Sequence, residues 1–425
     1  MAFAQLLPAV KPPLFAKRAP VQYEEAMMDL QTDESRLPTI IDLFGGGMMS
    51  PVADPYSVYR RLRDQQPVIS LRSPLGLTYM VTRYDDVLGV LKNTSLFSSR
   101  ANARGIGMIM GRTILEMDGQ AHLRHRKIIT PAFLPSALKG VTAEKIAQIA
   151  HLLVDGFAAD GRADLVSQFT FTFPMQVIAH IIGIPMRDYA EFHRWAIDLI
   201  SVGDDPPRAF AAAQSIVDYL GPILEERRQA PAGDLLSTLV HAEVDGDRLS
   251  EEEVLGFLRL LLPAGAETTY RLIGSLMFAL LTHREQMEEV LADRSKIDLA
   301  LEETLRWEAP VQYTSREPVE STEIAGTVVP AGAIMTVAVG SANRDERVFS
   351  DPDRFEMHRN NADHVAFGFG QHFCAGSHLA RIEARIAATV LLERLRNLRL
   401  DTTEECRIVG LAFRSPSRLP VLFDA

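Results

Sequence analysis

Phe367-Gly368-Phe369-Gly370-Gln371-His372-Phe373-Cys374-Ala375-Gly376 is the stretch that decides how this chain is read. The residues that follow, 376–396 (GSHLARIEARIAATVLLERLR), are rich in helix formers with apolar residues at helical spacing, which puts Cys374 just ahead of a helix N-terminus. Free N–H groups and the positive end of the helix dipole at such a place favour a thiolate over a packed thiol. Gly368, Gly370 and Gly376 carry no side chain to hold the backbone away, so a flat cofactor can lie against the loop. An unpaired cysteine is ordinarily a small buried hydrophobe. Here the glycine spacing and the helix start argue for a ligand.

Phe367, Gly368, Gly370, His372, Cys374 and Gly376 stand at the spacing of the haem-binding signature of the cytochrome P450 superfamily, and Leu379-Ala380-Arg381 continue the match. The chain resembles the soluble bacterial type of that family. The resemblance implies a mainly α fold with small β-sheets, a single domain enclosing a haem between a long central helix and the cysteine loop. It implies haem b held by the Phe367–Gly376 loop, with Cys374 as the thiolate ligand of the iron, pushing electron density toward iron to favour O–O cleavage. It covers residues 37–425; residues 1–36 read as a flexible N-terminal extension.

Composition agrees with one large domain. No Gly/Ser linker or charge block divides the 425 residues, and the formal charge of −11 is spread rather than massed, which argues against nucleic-acid binding. The two cysteines, Cys374 and Cys406, form no Cys-x-x-Cys pair, so neither a disulfide framework nor a structural zinc is indicated and a reducing cytoplasm fits. The first residues (MAFAQLLPAVKPPLFAKRAP) hold too short an apolar run for a signal segment or a membrane anchor. Nothing reductase-like follows the cysteine loop, so electrons are expected from another protein. By resemblance this is a ferredoxin-type partner fed by a reductase and NAD(P)H, and a monomer is expected.

Helical patterns dominate. Asp54-Pro55 opens one helix by capping residue then proline, LTYMVT (77–82) is a plausible strand, and helices are expected over 141–158, 174–183, 189–201 and 209–229. Strand-like residues 324–340 surround Pro330-Ala331-Gly332, a tight turn. A long helix begins at a capping box, Ser250 with Glu253, and is apolar nearly all round except at Ala264-Gly265-Ala266-Glu267-Thr268-Thr269. A polar island between buried flanks needs a purpose. Thr268 is placed to back-bond to the carbonyl of Ala264 and open a notch, and Pro263 deprives the carbonyl of Arg259 of its helical partner, which predicts a kink. The resemblance implies that Glu267 and Thr268 supply the protons that dioxygen reduction consumes.

Glu303 and Arg306 form a Glu-x-x-Arg pair, a spacing that by itself usually decorates surfaces. In the family this pair is structural and is joined by an arginine from the segment before the haem loop, for which Arg354 in Asp351-Pro-Asp-Arg-Phe355 is the expected third member. Haem brings two propionate carboxylates, which need cationic or hydrogen-bonding partners when buried; His122, Arg126, Arg316 and His372 match the family's positions for them. The cluster Arg124–Lys127 is a candidate basic patch for steering an acidic redox partner.

For the substrate, family position points to Met108, Ile109, Met110, Leu261, Ala264, Val311, Ala412 and Phe413, a largely apolar set. An apolar organic guest is expected, terpenoid, steroid-like or aromatic, with Arg104 or Arg112 as a candidate anchor for a carboxylate. Three readings follow: an O2-activating monooxygenase that hydroxylates this guest, a peroxide-using or isomerising haem-thiolate enzyme, and a haem-binding sensor without turnover. The presence of both Glu267 and Thr268 weighs against the second, since peroxide bypasses a proton relay. No residue speaks positively for the third.

Overall fold

The capping box expected at the start of the long helix is formed: Ser250 N donates to Glu253 Oε2 (2.7 Å) and Glu253 N to Ser250 Oγ (3.2 Å). The structure is a computed structural model that describes residues 37–425 apart from 106, 134–142, 201–204, 245 and 361–362. The expected N-terminal extension, 1–36, lies outside the described residues. Residues from Pro38 to Ala425 cluster as one unit.

Eight helices frame the site: α1 (Gly119–Ile129), α2 (Ala143–Asp155), α3 (Thr172–Ile182), α4 (Tyr189–Ile200), α5 (Pro206–Gln229), α6 (Glu251–Thr282), α7 (Ile297–Trp307) and α8 (Ser377–Arg394). Asp54 starts the helix Tyr56–Gln65, its Oδ1 accepting from Tyr56 N at 2.9 Å. α5 begins three residues before the expected 209, because Asp205 caps it (Arg208 N to Oδ1, 3.1 Å) and the two prolines suit its first turn, where N–H groups have no helical partner. α6 runs as one element through Pro263 and packs on α3 and α8, its apolar flanks forming the middle of the main core. The close approach to α3 requires Gly265: a Cβ there would come within 2.7 Å of Ile178 Cδ1.

The largest sheet has five strands, β1 (Val68–Ser73), β2 (Gly76–Val81), β3 (Phe97–Ser98), β4 (Thr314–Pro318) and β5 (Ile334–Val337), in the order β1-β2-β5-β4-β3. β5 lies parallel to β2 and antiparallel to β4. The stretch 324–340 divides between two sheets: Thr322–Ile324 and Thr327–Val329 pair as a separate hairpin, and the turn at Pro330 (Ala333 N to Pro330 O, 3.2 Å) leads into β5. Among the described residues no helix is long and apolar enough to cross a membrane.

Candidate active site

Cys374 closes a hairpin-like loop. Its N–H donates to Phe367 O (2.9 Å), Gly368 N to Val365 O (2.9 Å) and Phe373 N to Gly370 O (3.1 Å). Gly368 (φ 71°) and Gly370 (φ 69°) take the left-handed conformation that glycine alone adopts readily, which is what turns the chain back toward Phe367. Cys374 is unpaired and exposed, yet dense surroundings desolvate the sulfur and raise its pKa. The N–H groups of Gly376 and Ser377 and the charges of Arg126 and Arg381 oppose that shift. The helix start therefore moderates the rise in the thiol pKa without reversing it, and a cation bound at the sulfur would complete its deprotonation.

Beside this loop the structure gathers the four expected carboxylate partners. Arg126 donates to Phe373 O, and the His122 and His372 rings lie 4.1 Å apart. Arg316 is 4% exposed; its Nη1 reaches only Thr314 Oγ1 (3.2 Å) and Ser315 O (2.8 Å). His372 is pushed down to about 3, first by burial and then by Arg316 and His122, while burial drives Arg316 to about 10. His122 Nδ1 and Arg316 Nε are buried without hydrogen-bond partners. Two arginines beside two neutral imidazoles, with orphaned donors on His122 and Arg316, suit a doubly anionic guest, and haem, with its two propionates and a flat face for the glycine loop, fits these residues. Two further members escaped the sequence. Ser99 Oγ meets His372 Nε2 (3.1 Å), and Asp118, the N-cap of α1, accepts from Ser99 N (3.1 Å); the capping position of Asp118 was a visible sign.

On α6, Thr268 Oγ1 donates to Ala264 O at 2.8 Å, the back-bond that its spacing suggests. Ala264 is exposed and Thr268 half-buried within a helix whose flanks are buried, so this turn faces open space. Glu267 points elsewhere. It is buried and accepts at Oε1 from Arg271 Nε (2.9 Å) and Tyr270 OH (3.4 Å). The hydrogen bonds of the two side chains thus go to different partners.

The Glu-x-x-Arg pair is fully buried: Arg306 Nε and Nη2 each reach Glu303 at 2.8 Å, and Nη1 reaches Asn343 O (3.0 Å) and Pro352 O (2.8 Å). Arg354 is not its third member. That side chain is 70% exposed and pairs with Glu356, contributing only its backbone carbonyl to Arg306 (3.2 Å). Arg359 takes the place, with Nε 3.4 Å from Glu303 Oε1, because the chain turns between the two arginines. A second clamp went unread: Arg381 donates to Glu302 (2.8 Å), which also meets His364 Nε2 (3.0 Å), and stacks over Phe367 at 4.5 Å. Burial works against the Glu302 carboxylate, but these partners bring it down to about 2.

The expected pocket residues divide. Met108 and Ala264 are exposed and Val311 and Phe413 half-buried, whereas Leu261 and Ala412 are buried. Ile109 and Met110 are corrected to core residues, since the short helix Gly107–Met110 turns them into the main core, where Met110 is fully buried. Val311 and Phe413 form a β-bridge flanked by Gln312 N to Ala412 O (2.9 Å) and Arg414 N to Pro310 O (3.0 Å). Arg104 is held by Glu317 and by Gly332 O (3.2 Å), which engages it as a carboxylate anchor already.

A family model described as Cytochrome P450 matches residues 202–417. The chain is 38% identical over 386 residues to the cytochrome P450 monooxygenase PikC of Streptomyces venezuelae, a match covering 89% of this chain and 92% of that protein. To cytochrome P450 107B1 of Saccharopolyspora erythraea it is 37% identical over 368 residues, 83% of this chain and 90% of that one. Among solved structures, cytochrome P450 CYP109Q5 from Chondromyces apiculatus matches with a TM-score of 0.81 at 37% identity, covering 88% of this chain and 96% of that chain. CYP109E1 from Bacillus megaterium in complex with testosterone matches with a TM-score of 0.80 at 31% identity, covering 88% and 100%. The mainly helical fold with small sheets is the fold of these structures.

Proposed function

The chain belongs to the cytochrome P450 family of monooxygenases, and from that premise we propose that Cys374 ligates the haem iron and that the enzyme hydroxylates an apolar organic molecule with O2 and two electrons. When bound, the haem supplies the iron at which O2 is reduced and a C–H bond oxidised. What supports this assignment above all is the pair of arginines and pair of histidines gathered beside Cys374, with buried donors on His122 and Arg316 left for two carboxylates. His122, Arg126, Arg316 and His372 bind and orient those carboxylates, the glycine loop admits the flat face, and the Glu303–Arg306–Arg359 cluster holds the chain around them.

Thr268 holds a proton at the notch, and to Glu267, whose carboxylate is turned toward Tyr270 and Arg271, we assign its resupply by way of intervening water rather than by direct contact. Thr268→Ala is expected to leave haem content and ligand affinity unchanged while product per NAD(P)H falls about tenfold, less than the ~100-fold minimum usual for general acid catalysis because water can donate in its place, with the balance recovered as hydrogen peroxide. Tight coupling in the variant would mean that protons arrive without this hydroxyl.

A terpenoid, steroid-like or aromatic guest suits the apolar surface of Met108, Val311 and Phe413, and the testosterone held by the Bacillus megaterium neighbour supports a guest of that size. We assign the electrons to NAD(P)H through a reductase and a ferredoxin-type protein. Exposed Phe369, with Lys92 5.1 Å above its ring, offers such a partner a mixed apolar and basic contact beside the cysteine loop. Arg124 is taken out of the basic patch by Asp247 (2.9 Å) and Glu253 (2.9 Å). A reducing cytoplasm suits Cys374 and Cys406, both unpaired. The test is an optical titration of the ferric protein with terpenoid, steroid and aromatic compounds. A low-spin to high-spin shift with one class is expected, followed by hydroxylation of that compound only when ferredoxin, reductase and NAD(P)H are all present. Turnover with peroxide alone, or none with the full electron supply, would overturn the assignment.

A further inference from the structure

Glu267 is held by its own helix in a way that leaves part of its carboxylate free. Tyr270 OH and both Arg271 nitrogens that reach it converge on Oε1, and none of them meets Oε2. Between α4 and α6 lies a small cavity lined by Glu267, Tyr270, His193 and Phe171 together with apolar side chains. The space open to the centre of a water molecule there is about 10 Å³, room for about one molecule. Apart from Glu267 and the Tyr270 hydroxyl bonded to it, the polar group on its wall is His193, whose Nε2 is buried without a hydrogen-bond partner.

His193 is half-buried, with its ring packed against Phe171 at 4.5 Å, so one side chain reaches from the surface of α4 to a space it shares with the acid. A dry contact would leave Nε2 at a desolvation cost that a bridging water removes. Burial lowers the His193 pKa, which keeps the ring neutral, and a neutral imidazole takes up a proton at one nitrogen while releasing one from the other.

We propose that one water in this cavity joins His193 Nε2 to Glu267 Oε2, and that His193 is the entry point for protons on their way to Glu267. This rests on the monooxygenase reading, since dioxygen reduction is what draws protons at Glu267. A solvent proton binds Nδ1, the Nε2–H proton passes to the water, and the water gives one of its own protons to the carboxylate. The water is regenerated, no electrons move, and a turn of the half-exposed ring brings Nε2 to solvent, where Nδ1 loses its proton and Nε2 regains one, restoring the first tautomer. His193 touches neither substrate nor cofactor and acts through Glu267.

The test begins with a crystal structure of the holoenzyme that resolves ordered water. A water within hydrogen-bonding distance of both atoms is expected; a dry cavity overturns the proposal. His193→Phe, which keeps a ring on Phe171, and His193→Gln are then compared with wild type and with His193→Glu, which restores a proton carrier. Both non-titrating variants are expected to keep the carbon monoxide spectrum, spin-shift affinity and thermal midpoint. Product per NAD(P)H should fall about tenfold in them and the solvent deuterium isotope effect should rise, with His193→Glu recovering most of the coupling. Unchanged coupling in His193→Phe, or equal behaviour of the Gln and Glu variants, would sink the role of His193 while leaving the monooxygenase assignment intact. Failure of the wild type to turn over with O2 and a full electron supply would overturn both.

Discussion

Cys374→Ala is expected to give a folded protein whose reduced carbon monoxide complex lacks the red-shifted absorption produced by a thiolate ligand, with hydroxylation below detection. The backbone of the loop does not depend on the sulfur. It is held by Cys374 N to Phe367 O, by Gly368 N to Val365 O and by Arg126 on Phe373 O, all of which the variant keeps. The carboxylate partners also lie outside the substitution, so a weakened haem complex can still form for the spectrum to be read. Removing the thiolate should thus separate cofactor docking from oxygen chemistry. A spectrum identical to wild type would remove Cys374 from the iron.

The second large effect is on stability. Glu303→Ala strands the Arg306 guanidinium, which like Glu303 has a side chain 0% exposed, and breaking a buried pair from one side costs about 3–5 kcal/mol. At the ~2–4 °C per kcal/mol of larger domains, thermal unfolding of the variant should come about 10 °C early. Pairing Glu303→Leu with Arg306→Met should recover part of the loss, because an apolar pair leaves no charge buried. The arginines of the preceding segment give a finer check. Arg359→Ala should destabilise by about 1–2 kcal/mol through its contact with Glu303, whereas Arg354→Ala, on an exposed side chain, should stay within about 0.5 kcal/mol. The reverse order in urea unfolding would reinstate Arg354.

The contrast between Arg354 and Arg359 shows what a sequence carries and what it withholds. The cysteine loop, the capping box at Ser250 and the Thr268 back-bond depend on residues a few positions apart, so their geometry follows from spacing. The two arginines sit in one irregular segment, and only the path of the chain decides which side chain enters the core and which offers just its carbonyl. Arg381 with Glu302, and Arg124 with Asp247, are long-range pairs that no periodicity announces. Met108-Ile109-Met110 fails differently: apolar residues serve a core and a guest pocket equally well, and a single helical turn sends neighbours to opposite fates. Glu267 and Arg271 stand i, i+4 on one helix, so this pair is legible from spacing alone.

If Val311 and Phe413 line the guest site as proposed, the bridge between them bears on any attempt to retune what the enzyme accepts. Backbone hydrogen bonds on both sides lock the two segments in register, so a bulkier group at one position moves the strand that presents the other. Substitutions in such direct contact do not add. Libraries that vary these positions one at a time would miss most of the productive combinations, and selection for a new guest should treat the two as a single locus.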